Sequence, residues 1–173
     1  MSNIYTYQVL KDTTEQTVIK LTGKFDGTGQ EANAVRIQAN TLAGALDSSK
    51  ANLLSSTANT GALSYYGLSL MRLWYDCASE GEVELSWTAD TSKTLMLLNG
   101  NGEYDATGQS VTIPNNAAGT ANCRGDVGVT TRGMIANSSY TMVIELRKDN
   151  AMYQRGQFND PAAFNYGQYG MRP

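Results

Sequence analysis

Apolar and polar residues alternate along most of this chain with a period of two, and the helical period is nearly absent. The cleanest case is residues 139–148, where Tyr140, Met142, Ile144 and Leu146 alternate with Thr141, Val143, Glu145 and Arg147. The same pattern predicts a strand over 4–10, with Tyr5, Tyr7 and Val9 on one face and Thr6 and Gln8 on the other. A second strand over 17–25 turns Ile19, Leu21 and Phe25 inward and Lys20, Thr22 and Lys24 outward. Val35, Ile37 and Ala39 mark a third. Residues 67–77, GLSLMRLWYDC, carry apolar groups on both faces, as a central strand or one covered by a partner does. Residues 82–88 turn Val83, Leu85 and Trp87 inward and pair across TADTSK with 94–98 as a hairpin. NGNGEYDATG, 99–108, is expected as a turn leading to a strand over 110–113 that Pro114 stops, and Val127 and Val129 mark a strand over 126–131.

About eight strands separated by turns favour a two-layer antiparallel β-sandwich, with a jelly-roll-like arrangement as one form of it, over a single open sheet. The expected division is a sandwich over 1–148 and an extended C-terminal arm over 149–173. Residues 41–64, rich in Ala, Ser, Asn and Thr, lack the large apolar groups of a core strand. Their length marks either a contact loop or an element hidden from the pattern.

The arm spaces Tyr153, Phe158, Phe164, Tyr166 and Tyr169 among Gly, Asn, Gln and Pro. Amphipathic aromatics on a polar backbone suit an interface strap laid over a neighbouring subunit, with these five as anchors. The competing reading folds the arm back to close an edge of its own sandwich. Pro161 and Pro173 oppose a continuous paired strand, so isolated rings in pockets fit better.

Composition sharpens this picture. Charged residues are only 17% of the chain, whereas Gly reaches 17 residues and Tyr 10. A surface of Ser, Thr, Asn, Gln and Gly packs against neighbours at a lower desolvation cost than one of Lys and Glu. The net charge is −3 and no basic run occurs, which argues against nucleic acid as a partner. The N-terminal residues MSNIYTYQVLKD have neither the basic region nor the apolar stretch of a signal peptide. No apolar run approaches the length that crosses a bilayer, so no membrane partner is expected. Cys77 and Cys123 alone do not make a disulfide framework and read as free, buried cysteines.

Candidate chemistry is sparse. The chain has no histidine, which removes the usual proton shuttle, the commonest metal ligand and the common nucleophilic triads. There is no GxSxG, no phosphate-cradling loop and no cysteine cluster. Asp76, Glu80, Glu82 and Glu84 lie close in sequence, but Glu82 and Glu84 share the outward face of one strand, as a solvated sheet face would. Asn99, Asn101, Glu103 and Asp105 resemble half of a calcium loop, yet Ser110 stands where the closing glutamate belongs. Turn chemistry explains that stretch, and DGTGQ at 26–30 as well. Trp87 belongs to the inward set, while Trp74 and Tyr75 point to opposite faces, and at least one needs a cover. No enzyme, cofactor or metal is expected.

With SYTMVIELRKD and the preceding GLSLMRLWYDC…GEVELSW, the chain resembles small β-sandwich virion structural proteins of tailed bacteriophages, particularly marine myovirus-like ones. The resemblance spans roughly residues 4–149 in strand texture and turn composition, and no catalytic residue comes with it. It implies a capsid decoration or cement protein, or a neck or tail connector, located in the virion. Its partners would be capsid, neck or tail subunits, in a homo-oligomer or multi-copy lattice. The alternative is a carbohydrate- or receptor-binding module using exposed aromatics beside polar groups near 99–108. Solvent exposure of Trp74 or Tyr75 is the feature that would favour it. A glycan-cleaving enzyme comes third, and it requires two carboxylates facing across a cleft.

Overall fold

The strand of cleanest alternation lies inside the larger of two antiparallel sheets, where each of its edges finds a partner. The computed structural model describes residues 2–45, 66–107, 112–117, 123–148 and Tyr153. Among these, ten strands occur: β1 Ile4–Asp12, β2 Gln16–Lys24, β3 Ala34–Ile37, β4 Leu68–Cys77, β5 Glu82–Trp87, β6 Lys93–Leu98, β7 Asn101–Asp105, β8 Ile113–Pro114, β9 Val127–Arg132 and β10 Ser139–Lys148. One sheet runs β1-β2-β10-β4-β7, with β8 also on β4, and the other runs β3-β9-β5-β6. The expected all-β architecture of two antiparallel sheets in contact is what the chain forms.

The pairing is nested. β5 pairs with β6, β4 with β7, β3 with β9 and β2 with β10. Successive pairs alternate between the two sheets, so the chain is a long hairpin doubled over on itself, with its tip between Trp87 and Lys93.

Register explains which side chains meet. Across the larger sheet one inward row runs Val9, Ile19, Ile144, Leu73, Tyr104 and the next runs Tyr7, Leu21, Met142, Tyr75, Gly102. A third row runs Tyr5, Gly23, Tyr140, Cys77. Glycine at position 23 leaves room for the Tyr140 ring lying over it, where a Cβ would collide. The smaller sheet contributes Ile37, Val83, Leu85, Trp87, Val127 and Val129, and the two inner faces form one buried apolar cluster. The inward residues expected of β2, β5 and β10 are all buried.

Two expectations change. Residues 101–105, expected as part of a turn, form β7, because Gly102 lies beneath Tyr75 and Tyr104 turns inward while the polar residues face out. The turn is confined to Asn99 and Gly100, which takes φ +64°. The strand expected through Ala39 ends at Ile37, and a 3-10 turn follows over Ala39–Thr41.

β1 is a separate case. Its inward residues Tyr7 and Val9 remain 45% exposed, although Leu21 and Ile19 beside them are buried. The covering layer therefore stops at β2, and β1 overhangs it. Among the described residues β1 pairs only with β2, so its second edge has no strand partner.

Candidate functional site

Of the five expected anchors, only Tyr153 falls within the described residues; Phe158, Phe164, Tyr166 and Tyr169 lie outside them. Tyr153 is buried in its own domain. Its hydroxyl donates to the Ala39 carbonyl at 2.8 Å, its ring centroid is 5.4 Å from that of Tyr66, and it bridges Ala45. Burial pushes its phenol well above the ordinary tyrosine range. Tyr153 therefore packs within its own domain, against Ala39, Ala45 and Tyr66.

Beside it sits a buried polar knot that joins the ends of β1 and β10. The Lys148 ammonium donates to Asp12 Oδ1 at 2.7 Å, to the Thr13 carbonyl at 2.5 Å and to the Ala43 carbonyl at 2.6 Å. Its three donors are thereby satisfied. The other Asp12 oxygen accepts from the Ala43 amide at 2.7 Å. The cation also lies 5.1 Å from the Tyr153 ring centroid. Burial lowers the Lys148 pKa and Asp12 opposes that shift. Sequence reasoning passed over Lys148, yet its parity is that of Tyr140, Met142, Ile144 and Leu146, which is the signal that places it inward.

Of the clustered carboxylates, Asp76 and Glu80 line one open pocket with Asn137, Ser138 and Thr141, and Glu82 and Glu84 are not part of it. Glu82 and Glu84 stand side by side on β5, and Arg132 on neighbouring β9 clamps both, Nη1 to Glu82 Oε1 and Nη2 to Glu84 Oε2, each at 2.6 Å. Thr94 also donates to Glu84 at 2.6 Å, and this bond leads the influences that lower the Glu84 pKa. In DGTGQ, Asp26 accepts from the Thr28 amide and hydroxyl, and Gly27 takes φ +86°, as a turn requires. A second buried set links Glu31 to the Arg36 Nε at 2.5 Å and to the Tyr140 hydroxyl at 2.9 Å.

The outer face of the larger sheet is different. Trp74 is 38% exposed there, in a shallow open depression between Val143 of β10 and Glu103 of β7. One step along, Asp76 lies between Thr141 and Asn101. Tyr75 turns inward and packs on the core, so the two residues face opposite ways, as expected. The Arg72 guanidinium lies over the Trp74 ring, 5.9 Å from its centroid, and its Nε lies 3.3 Å from Asp105 and 3.7 Å from Glu145. Trp87 is buried in the core, and Cys77 and Cys123 are free and buried.

Among the described residues no cluster of three or more Cys, Asp or Glu side chains is arranged to hold a metal ion, and no helix is long and apolar enough to cross a membrane. Comparison with protein families, with curated proteins and with solved structures finds no match.

Proposed function

We propose that this chain is a non-enzymatic structural subunit of a tailed-phage virion, a capsid decoration or cement protein or a neck or tail connector. Its sandwich is the rigid block and its C-terminal arm the strap. The nested strand pairing supports a jelly-roll-like reading of the two sheets, an architecture that recurs in viral capsid domains. Fold alone does not give function. The observation that carries the assembly reading is β1.

A nine-residue edge strand with its second edge unpaired among the described residues is a template for association. It also exposes Ile4 at 61% and Leu10 at 49%, besides Tyr7 and Val9 on the overhanging inner face. Tyr7 and Val9 stand next to each other on one face, and exposed apolar neighbours of this kind mark a contact site. Its occupant, in this reading, is the arm of a second copy. Tyr153, the last described residue, lies next to the Lys148–Asp12 pair at the end of β1, and the rest of the arm follows it in sequence. The residues from 154 to 173 reach at most roughly 60–70 Å when extended, about twice the diameter of a small domain, and they carry the rings that would cover β1. Head-to-tail contacts of this sort close into rings or propagate along a lattice, where each weak contact is multiplied.

Sedimentation of three proteins tests this: the full chain, a chain ending at Tyr153, and a Tyr7→Glu/Val9→Glu variant. The full chain is expected to self-associate, and each altered chain to be monomeric with an unchanged melt. Mixing the two altered chains should restore a complex, since one keeps the receptor strand and the other the arm. Undiminished association without the arm, or a monomeric full chain at every concentration, would overturn the reading.

A further inference from the structure

We propose a glycan-binding site on the outer face of the larger sheet, centred on Trp74 and specific for neutral or cationic sugars. A tryptophan that opens to solvent in the middle of a strand offers a flat π face, and its quadrupole attracts the weakly positive C–H face of a pyranose as it attracts cations. Around this ring stand Asp76, Asn101, Glu103 and Thr141, in the depression that Trp74 and Val143 floor. No hydrogen bond or ion pair engages these four side chains among the described residues. Two carboxylates, an amide and a hydroxyl are thus free to receive and donate the hydrogen bonds of sugar hydroxyls, and bonds to carboxylates are the stronger kind.

Strand geometry fixes the spacing. The three neighbouring strands place Thr141, Asp76 and Asn101 in one row and Val143, Trp74 and Glu103 in the next on the same face. The patch is about 10 Å across the strands and about 7 Å along them, enough for a short oligosaccharide segment. Charge selects the ligand class. Arg72, the cation that lies by the ring, is engaged by Asp105 and Glu145, which leaves Asp76 and Glu103 as the carboxylates beside the ring with no ion pair among the described residues. An anionic polysaccharide or a phosphate would be repelled there. Being open and shallow, one such site binds weakly, and many copies on one surface would bind through avidity. The site is independent of β1 and of the arm, so it stands or falls apart from the assembly reading.

The test is an intrinsic-fluorescence titration of the full chain with maltohexaose, cellohexaose, N-acetylchitohexaose, chitosan oligomers and heparin oligosaccharides, checked by amide chemical shifts. Trp87 is buried, so a ligand-dependent change in emission reports on Trp74. Saturable binding of at least one neutral or cationic sugar is expected, with no binding of heparin. Trp74→Ala should weaken it roughly tenfold or more, and Glu103→Gln or Asp76→Asn several-fold, without changing the melt or the sedimentation. Trp74→Phe should retain part of the affinity. Failure of every neutral and cationic sugar to saturate by about 10 mM, or equal binding by Trp74→Ala, would overturn the proposal. So would loss of self-association in Trp74→Ala, which would make the face a protein interface.

Discussion

Lys148, the last residue of β10, and Asp12, the last residue of β1, form an ion pair at 2.7 Å, with the lysine side chain wholly buried. Two strands that do not pair with each other are thereby fastened at their ends, next to the ring of Tyr153. Removing the carboxylate would leave a buried cation without its counter-charge. Asp12→Asn is expected to lower unfolding stability by about 3 kcal/mol, measured by urea denaturation. A loss below about 1 kcal/mol would mean that water reaches Lys148.

Tyr153 sets where the chain can be cut. Tyr153→Phe removes one buried hydrogen bond and should lose about 1 kcal/mol, whereas Tyr153→Ala opens a cavity and should lose about 3–5 kcal/mol. A chain ending at Tyr153 should therefore melt like the full protein, and one ending at 149 should melt well below it. Equal melting of the two truncations would place Tyr153 outside the cooperative unit.

Glu31 supplies a pH signature. Burial raises its pKa above the ordinary carboxylate value, and the hydrogen bonds from Arg36 and Tyr140 only partly offset this. The folded state then holds the proton more tightly than the unfolded one. This group's contribution is fully present below the unfolded pKa of about 4.5 and is lost as pH rises through the folded value. The stability of the wild type minus that of Glu31→Gln should thus fall as pH rises from about 4 towards neutrality. Denaturation of both proteins across that range checks the sign, and a rising difference would mean that the Arg36 pair dominates.

Gly125 has φ +93°, and a Cβ there would collide with the Tyr66 carbonyl oxygen. Tyr66 in turn donates its amide to the Arg124 carbonyl at 3.0 Å, so its backbone cannot withdraw freely. Gly125→Ala combines backbone strain with a clash and should lose about 3 kcal/mol or more. Chemical denaturation reads this, and a loss under about 1 kcal/mol would show that the 66 segment can move.

Burial, with Asp76 next in importance, pushes the Cys77 thiol up to about 12. A thiol held so far from its thiolate is a poor nucleophile. Ellman's reagent should leave Cys77 unmodified in the folded protein and react with it promptly in urea. Rapid modification of the folded chain at Cys77 would reveal local opening of β4.

Where apolar groups alternated strictly, the sequence by itself determined strands and faces. Ile19 and Leu21, Val83, Leu85 and Trp87, and Tyr140 through Leu146 all point where a period of two requires, because one buried face forces that pattern. It also foretold the shared outward face of Glu82 and Glu84 and the opposed directions of Trp74 and Tyr75. What it left open depended on neighbours. Asn101–Asp105 has little strand propensity of its own and becomes β7 because β4 offers an edge and Tyr75 a ring to lie over Gly102. Tyr7 and Val9 carry the same alternation as Leu21 and Ile19, and only the extent of the second layer decides that one pair is buried and the other open. Lys148 and Tyr153 join the interior because distant segments bring an aspartate and carbonyl oxygens to meet them. Local pattern sets the direction of a side chain; what stands opposite it is a long-range fact.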